Sequence, residues 1–312
     1  MRCLVTGAAG FIGSTLTERL LELGHEVVGV DCFSDYYSPD VKRANLASAR
    51  RSPRFRFIEA DLNELDLQGL LDGMEWVFHQ AAQAGVRMSW GAFFDVYVRN
   101  NILATQRLLE AAKGSGILRL VYASSSSVYG DSPDLPLKET ARPQPVSPYG
   151  VTKLAAEHLC YLYYVNYGAP TVSLRYFTVY GPRQRPDMGF HKFIRAALTG
   201  EEIVVYGDGE QTRDFTYISD AVEANVQAAR AEDAVGRVFN IGGGSRISVN
   251  AVLDILRDLI GPLEVRHAED QKGDVRHTMS DTTPAREILG YSPQVPIRPG
   301  LSRQVEWMRG NG

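Results

Sequence analysis

The sequence predicts an α/β protein: a doubly wound parallel sheet joined to a smaller, interleaved α/β substrate domain. Short apolar segments alternate with segments of helical periodicity, and several of the apolar segments lack a polar face. Strands that are apolar on both faces are typical of parallel sheets with helices on either side, so we expect a Rossmann-type arrangement. The strand candidates are Leu4-Val5, Glu26 to Val30, Arg54 to Ala60, Trp76 to His79 and Leu118 to Ala123.

Helical segments separate these strands. Ser14 to Leu23 and Asn100 to Lys113 repeat apolar residues at the helical period, and a third helix should begin near Pro148. Prolines and a run of glycines then divide the second half into shorter elements, which predicts the substrate domain. We expect the Rossmann domain to comprise residues 1–172, about 212–240 and about 272–287, and the substrate domain about 173–211, 241–271 and 288–312.

The composition argues against several classes of protein. Hydrophobic residues make up 44% of the chain and charged residues 22%, unlike a disordered or fibrous protein. The 33 Lys and Arg are outnumbered by 37 Asp and Glu, which argues against a nucleic-acid partner. No apolar run approaches the roughly 20 residues of a membrane-spanning helix, so no membrane association is expected.

The cysteines indicate a reducing compartment. Cys3, Cys32 and Cys160 are far apart, odd in number and without a C-x-x-C pair. This pattern favours free thiols over a disulfide framework or a zinc site. The first residues loosely imitate a secretory leader, but glycines interrupt the apolar stretch and charged residues follow at once. We expect a cytoplasmic protein without a metal site.

A glycine turn after the first strand predicts a dinucleotide site. It contains Gly7, Gly10, Phe11, Ile12 and Gly13. Glycines in such a turn let the backbone approach a pyrophosphate at the helix N-terminus, although an ordinary strand–helix turn is the alternative. Asp31 ends the next strand, 18 residues after Gly13, where its carboxylate would hold the adenosine ribose and repel a 2′-phosphate. The predicted cofactor is therefore NAD rather than NADP.

Tyr149, Lys153 and Ser125 are the candidate catalytic residues. Tyr149 and Lys153 are four residues apart on the helix predicted near Pro148, so they share a face. A phenol with a pKa of about 10 is a poor base, but a nearby ammonium and a cationic nicotinamide would favour the phenolate. Ser125 follows the strand that ends at Ala123, at the sheet edge where α/β proteins bind ligands. The alternative is a structural tyrosine and a solvated lysine.

The spacing G-x-x-G-x-x-G, together with Tyr149-Gly150-Val151-Thr152-Lys153, resembles the extended short-chain dehydrogenase/reductases over essentially the whole chain. The resemblance implies that Lys153 also holds the nicotinamide ribose and that Asn101 braces the catalytic region. It further implies cofactor contacts from Asp61-Leu62 and Ala81-Ala82. The family's dimers use the helices predicted here near Asn100 to Lys113 and Tyr149 to Tyr167. Because residues 161–164 are apolar on too many sides for a solvated helix, a homodimer is expected.

Within this family, residues 79–87 and 175–188 most resemble the UDP-glucuronate 4-epimerases. The resemblance implies NAD-dependent conversion of UDP-glucuronate to UDP-galacturonate through a transient 4-keto sugar. Ser126, Ser127 and Thr178 would receive the hexuronate carboxylate, Arg185 would contact the nucleotide, and Arg87 would belong to the substrate site. The alternative for Arg185 is a solvated basic loop.

Two further segments resemble phosphate-side motifs of the family. In residues 207–217, Arg213 would bind the diphosphate, and a hairpin with an Asp-Gly turn is a compatible interpretation because it would present Arg213. In residues 273–276, Arg276 is a second candidate. Lys272 is a third, standing where the family often has arginine.

Alternative functions remain open. The hydroxyls of Ser126, Ser127 and Thr178 could also bond a hydroxymethyl group, as in a UDP-glucose or UDP-N-acetylglucosamine 4-epimerase. A UDP-glucuronate decarboxylase fits less well, because that class has glutamate at the position of Ser127. Dehydratases of the family carry a Thr-Asp-Glu run that is missing here. A binding protein without catalysis is disfavoured by the intact Ser125, Tyr149 and Lys153.

Overall fold

The computed structural model describes residues 1–269 and 273–310. Its strands are β1 (Arg2–Thr6), β2 (Glu26–Asp31), β3 (Phe55–Glu59), β4 (Trp76–His79), β5 (Arg119–Ser125), β6 (Thr171–Tyr176), β7 (Val179–Tyr180), β8 (Ile203–Tyr206), β9 (Thr212–Asp214), β10 (Thr216–Tyr217), β11 (Val238–Ile241), β12 (Arg246–Ser248) and β13 (Val265–Ala268). Its α-helices are α1 (Phe11–Glu22), α2 (Pro39–Asn45), α3 (Leu67–Leu71), α4 (Phe94–Tyr97), α5 (Ala104–Ala112), α6 (Pro148–Tyr167), α7 (Gly189–Thr199), α8 (Ile218–Arg230), α9 (Val249–Ile260) and α10 (Ile297–Gly310).

The predicted parallel sheet is confirmed. Over the described residues it has seven strands in the order β11-β6-β5-β4-β1-β2-β3, all of them parallel. Each of the five strand candidates forms a strand of this sheet. Because β1 lies between β2 and β4, the direction of winding reverses beside it. Crevices that bind ligands open at this position, at the carboxyl ends of the strands.

Apolar side chains cover both faces of the sheet. One buried cluster joins the sheet to α1 and α8, and a second joins it to α3, α5 and α6. This explains why β1 and β4 are buried along almost their whole length. Within the described part of the chain, none of the helices is both long and apolar enough to cross a bilayer.

Three local expectations need correction. The helix expected from Asn100 begins as a π-helix, Val98–Leu103, and becomes α-helical only at α5. The serine run does not simply follow β5: Ser124 and Ser125 are its last residues, and Ser126–Val128 form one 3₁₀ turn. The hairpin around Asp208 does not form, because β8 pairs with β13 and β9 pairs with β12.

Candidate active site

A cleft opens beside β1 at the carboxyl ends of the sheet strands and gathers most of the residues predicted to bind the cofactor. These are Gly7, Gly10, Phe11, Ile12, Gly13, Asp31, Asp61, Leu62, Ala81, Ala82, Tyr149 and Lys153. They come from five separate stretches of the chain. The cleft therefore supports a single site formed by the glycine turn, the second strand and α6.

The glycine turn leaves no room for a side chain at Gly7 or Gly13. A Cβ on Gly7, whose φ is +68°, would lie 2.7 Å from the backbone nitrogen of Ala81. A Cβ on Gly13 would lie 2.1 Å from the carbonyl oxygen of Gly7. Gly10 caps α1, so the helix N-terminus faces the cleft. A bare backbone at a helix N-terminus suits a pyrophosphate.

Asp31 is fixed at the end of β2 by backbone amides. Its Oδ2 accepts from the Ala9 N–H at 3.1 Å and its Oδ1 from the Phe33 N–H at 2.9 Å. Burial raises the pKa of Asp31, and the amides and the cation of Lys42 oppose that effect. Asp31 also lines the cleft, and its role toward a ribose stays a prediction.

Lys42 is a residue of the cleft that the sequence did not single out. It is 4% exposed, and its Nζ donates to the carbonyl oxygen of Ser34 at 2.6 Å and to the Ser34 hydroxyl at 2.9 Å. The prediction of NAD over NADP depends partly on the absence of an arginine directly after Asp31. In the structure, Lys42 of α2 provides a cation near Asp31. Nothing in its local sequence distinguishes it from a solvated helix lysine.

Tyr149 lines the cleft, and Ser125 follows Ser124, another residue of the cleft wall, at the end of β5. The Ser125 hydroxyl is near enough to Tyr149 to lower its pKa, and the Ser125 Oγ accepts from the Ser127 N–H at 3.1 Å. Burial raises the pKa of the Tyr149 phenol, Arg185 and Ser125 lower it, and Asp187 raises it. Arg185, rather than Lys153, is thus the cation that most favours the phenolate in the protein alone. The sequence considered Arg185 only for the nucleotide.

Lys153 lies one helical turn beyond Tyr149 and is 3% exposed. Burial lowers its pKa to about 7, against the opposing influence of Cys160 and Glu157. Its Nζ lies 4.6 Å from the centre of the Tyr122 ring, where a cation is stabilised by the π face. A lysine with this pKa gains or loses its proton near neutrality.

A buried ion pair fixes the strands and the helix that carry these groups. Arg175 of β6 binds Glu157 of α6 through Nη2 at 2.6 Å and Nε at 3.0 Å, and both side chains are about 5% exposed or less. Glu157 also accepts from the Ser124 hydroxyl at 2.6 Å. The pair therefore joins α6 to the carboxyl ends of β5 and β6. The sequence analysis missed it.

Asn101 is buried and is not among the residues that line the cleft. Its Oδ1 accepts from the Gln83 N–H at 2.7 Å, and its Nδ2 donates to the Gln83 carbonyl at 3.0 Å and to the Thr152 hydroxyl at 2.9 Å. It lies in the π-helical segment, a feature often found at functional sites. These bonds connect the loop after β4 to the helix of Tyr149.

The residues predicted to take the hexuronate lie around the ends of β5 and β6. Ser125 and Tyr176 are register partners, so Ser126-Ser127 and Thr178 follow neighbouring strand ends. The Thr178 carbonyl accepts from the Thr216 N–H at 2.9 Å, which fixes the backbone there. Arg185 lines the cleft with Tyr149 and is bound through both ends of its fork by Asp187, each bond 2.9 Å.

The other predicted arginines lie farther out and engage acidic or carbonyl groups. Arg87 pairs with Asp274 at 2.8 Å, and Arg276 binds both oxygens of Asp208 at 2.9 and 2.7 Å. Arg213 donates to the carbonyl oxygens of Thr212 and Arg276. Lys272 lies outside the described residues.

Comparison with known proteins agrees with this geometry. The family described as "NAD dependent epimerase/dehydratase family" matches residues 3–242. A UDP-glucuronate 4-epimerase of Thermodesulfobacterium geofontis is 40% identical over 99% of this chain and 96% of its own length. A protein of Bacillus subtilis, called an uncharacterized UDP-glucose epimerase, is 43% identical over 99% of this chain and 98% of its own.

A solved structure extends the similarity to three dimensions. The UDP-glucuronic acid 4-epimerase of Bacillus cereus, crystallised with UDP-glucuronic acid and NAD, superposes with a TM-score of 0.98 at 42% identity. The match covers 100% of both chains. The predicted fold is thus also found in an enzyme whose name gives its cofactor and substrate.

Proposed function

Because the chain belongs to the NAD dependent epimerase/dehydratase family and is an NAD-dependent epimerase, we propose that it inverts C4 of UDP-glucuronate to give UDP-galacturonate. The observation that carries the proposal is that Tyr149 and Lys153 line the dinucleotide cleft, with the Ser125 hydroxyl near enough to lower the pKa of Tyr149. It provides a proton carrier where the cofactor's reactive end and a sugar hydroxyl would meet. The residues after Ser125 are Ser126 and Ser127, which bear hydroxyls, whereas a dehydratase of the family has Asp and Glu there.

The chain's own residues move one proton twice. When bound, NAD accepts hydride from C4 and returns it to the opposite face after the 4-keto sugar has turned over. Tyr149, as phenolate, takes the proton of the sugar 4-hydroxyl during oxidation and gives it back during reduction. Ser125 shares a hydrogen bond with the same sugar oxygen and keeps it near the phenol. Lys153 holds the nicotinamide ribose and contributes positive charge while protonated.

The cofactor itself is held by groups whose geometry fits a dinucleotide. The glycine turn receives the pyrophosphate, Asp31 the adenosine ribose, and Asp61, Leu62, Ala81 and Ala82 flank the rings. Asn101 acts from behind, through Gln83 and Thr152. Because NAD is regenerated within each turnover, we expect the protein to keep it bound between turnovers.

Ser126, Ser127 and Thr178 are proposed to bind the hexuronate carboxylate. Oxidation at C4 creates a β-keto acid, which loses carbon dioxide most easily when its carboxylate bond is perpendicular to the ketone plane. Hydrogen bonds from the three hydroxyls would hold the carboxylate away from that alignment and keep its charge on oxygen. Their place at adjacent strand ends supports this role.

The diphosphate requires cations. Arg185, Arg213, Arg87 and Arg276 are proposed to supply them, since arginine forks bind phosphate oxygens through paired hydrogen bonds. In the protein alone three of the four engage carboxylates of the chain. An arriving diphosphate would compete with the carboxylates at Arg87 and Arg276, whereas at Arg185 it would bind Nη1, because Asp187 accepts from Nε and Nη2. Lys272 remains a sequence prediction.

A homodimer is proposed through α6 and its neighbours. Tyr161, Leu162, Val165 and Tyr167 of α6 are each about half exposed or more, which is unusual for large apolar side chains on a solvated helix. Val98 and Leu103 extend the exposed apolar surface along the preceding helix. A partner copy would bury this patch.

Location and domain division also remain proposals. The three cysteines are free thiols in the described residues, which supports a cytoplasmic protein. The interleaved two-domain division is supported by β8 and β13, which pair with each other outside the large sheet. The β9–β12 sheet instead joins a segment assigned to the Rossmann domain to one assigned to the substrate domain.

Two measurements test the proposed function. Mass spectrometry of denatured protein should release NAD, and proton NMR should show UDP-galacturonate forming from UDP-glucuronate without added cofactor. A second candidate, a UDP-glucose 4-epimerase, is favoured by the name of the Bacillus subtilis relative. If UDP-glucose is epimerised at least as efficiently as UDP-glucuronate, that second function replaces the first.

A further inference from the structure

A chain of side chains crosses the cleft from the cofactor side to Tyr149. Tyr36, in the loop after β2, donates from its hydroxyl to Asp187 Oδ2 at 3.2 Å. Asp187 in turn holds the Nε and Nη2 of Arg185, each at 2.9 Å. Arg185 and Tyr149 line the same cleft, and the charge of Arg185 lowers the pKa of Tyr149. The three side chains connect segments that are 151 residues apart in sequence.

The site is built to receive the Tyr36 hydroxyl. Gly85 has a φ of +100°, and a Cβ added there would lie 2.2 Å from the Tyr36 oxygen and 3.6 Å from the Tyr97 oxygen. Tyr97 donates to the Gly85 carbonyl at 2.7 Å, which fixes this loop. Burial, and then Asp187, raise the pKa of Tyr36, so the phenol remains a protonated donor.

Arg185 would be poorly defined without these partners. A guanidinium on a long side chain has several rotatable bonds, and a bidentate carboxylate restricts it to one orientation. Arg185 is 22% exposed and Asp187 30%, so solvent reaches the pair. Besides the two bonds from Arg185, the Asp187 carboxylate accepts a hydrogen bond from the Tyr36 hydroxyl.

We propose that Tyr36 and Asp187 are positioning residues that hold the Arg185 guanidinium beside Tyr149 and thereby connect the cofactor loop to the proton-transfer site. The inference rests on the proposed function, because it assigns a task in the same site. Tyr36 acts through Asp187, and Asp187 acts through Arg185. A cofactor that orders the loop after β2 thus also sets the cation beside the proton carrier.

Other groups around Tyr149 could influence its titration and must be distinguished. Ser125 lies near it on β5, Tyr97 packs edge-on from α4, Lys153 follows on α6, and Tyr122 lies on β5. Tyr97 also influences Tyr36, since both hydroxyls lie near Gly85, so it is a second route between Tyr36 and Tyr149. Tyr36→Phe alters no charge and retains the ring, and an effect that passes through Asp187 and Arg185 must disappear when Arg185 is removed.

The test is a double-mutant cycle of Tyr36→Phe and Arg185→Met in the NAD-loaded full chain. In the wild-type background, Tyr36→Phe should lower kcat/KM for UDP-glucuronate about tenfold, the effect of losing one hydrogen bond to a charged group. The acidic limb of the pH profile should move to higher pH, because an Arg185 guanidinium that is held less firmly stabilises the Tyr149 phenolate less and so lowers its pKa less. In the Arg185→Met background, Tyr36→Phe should change neither quantity.

A second readout does not require turnover. Near-ultraviolet absorbance of tyrosinate, measured as the difference between each variant and its Tyr149→Phe counterpart, follows the Tyr149 phenol alone. Tyr36→Phe should shift this titration to higher pH only while Arg185 is present. This holds even if the sugar substrate proves to be different, so the failure of the proposed function would not obscure the result.

Tyr164→Phe is the matched control, because Tyr164 lies near the C-terminal end of α6, about four turns beyond Tyr149, and is next to Gly236. It should leave kcat/KM, the pH profile and the Tyr149 titration as in wild type. The proposal is overturned if Tyr36→Phe behaves as wild type. It is also overturned if Tyr36→Phe has the same effect with and without Arg185, which would show that Tyr36 serves only local structure.

Discussion

The ion pair of Arg175 and Glu157 gives a quantitative prediction for stability. Glu157→Gln keeps the shape of the side chain and removes its charge. Both partners are nearly buried, at 5% and 4% exposed, so the Arg175 guanidinium would be left in the core without a counter-charge. Ser124 would also lose a charged acceptor for its hydroxyl.

The magnitude follows from this burial. Removing one partner of a buried ion pair costs about 3–5 kcal/mol, whereas the same change in an exposed pair costs about 1 kcal/mol or less. For a chain of this size the melting temperature should fall about 2 °C per kcal/mol, hence by about 6–10 °C. Because Glu157 raises the pKa of Lys153, the variant should also carry a less protonated lysine at neutral pH.

Differential scanning calorimetry of NAD-depleted protein at pH 7 is the assay. Glu22→Gln is the control, since Glu22 pairs with Arg19 on the surface and its side chain is 66% exposed. Adding Arg175→Met to Glu157→Gln should restore much of the loss, because no buried charge then remains. If Glu157→Gln melts within about 2 °C of Glu22→Gln, the pair does not stabilise the fold as argued.

Three further changes probe the site. Tyr149→Phe should retain NAD but lower kcat by about 10²- to 10⁴-fold, and wild-type turnover would assign the proton to another group. Lys153→Met should lose activity yet melt above NAD-depleted wild type at pH 7. Burial lowers the pKa of Lys153 from 10.5 to about 7, so between these pH values the unfolded chain binds a proton that the folded protein does not. The difference in melting temperature between the variant and wild type should therefore shrink as the pH rises from 7 to 10.5. An equal difference across that range would contradict the shifted pKa. Thr178→Ala should raise KM for UDP-glucuronate and allow some 4-keto pentose to form. Turnover of UDP-glucose should be less affected. An equal loss of activity with both sugars would show that Thr178 does not bind the carboxylate.

The dinucleotide site could be predicted because its signals are local. Gly7, Gly10 and Gly13 occur within one turn, and Asp31 follows at the end of the next strand. Their spacing along the chain is therefore enough to predict that they lie at the same edge of the sheet. Tyr149 and Lys153 share a helical face for the same reason. The structure brings all of these residues to one cleft.

The charges that control the site could not be predicted in this way. Glu157 and Arg175 lie on different elements, and Asp187 meets Tyr36 across 151 residues. Arg175 and Asp187 lie in the segment 175–188 that resembles the family, but the sequence does not show which side chain each of them meets. Lys42 is similar: on sequence it is a helix lysine, and in the structure it is a buried cation beside Asp31.

The central claim is that one hydride leaves and returns to the same carbon while Tyr149 carries the proton. UDP-glucuronate labelled with deuterium at C4 tests it directly, with the product examined by NMR and mass spectrometry. The account predicts UDP-galacturonate that keeps the deuterium at C4 without added NAD. Loss of the label to solvent, or a UDP-pentose as the main product, would contradict it.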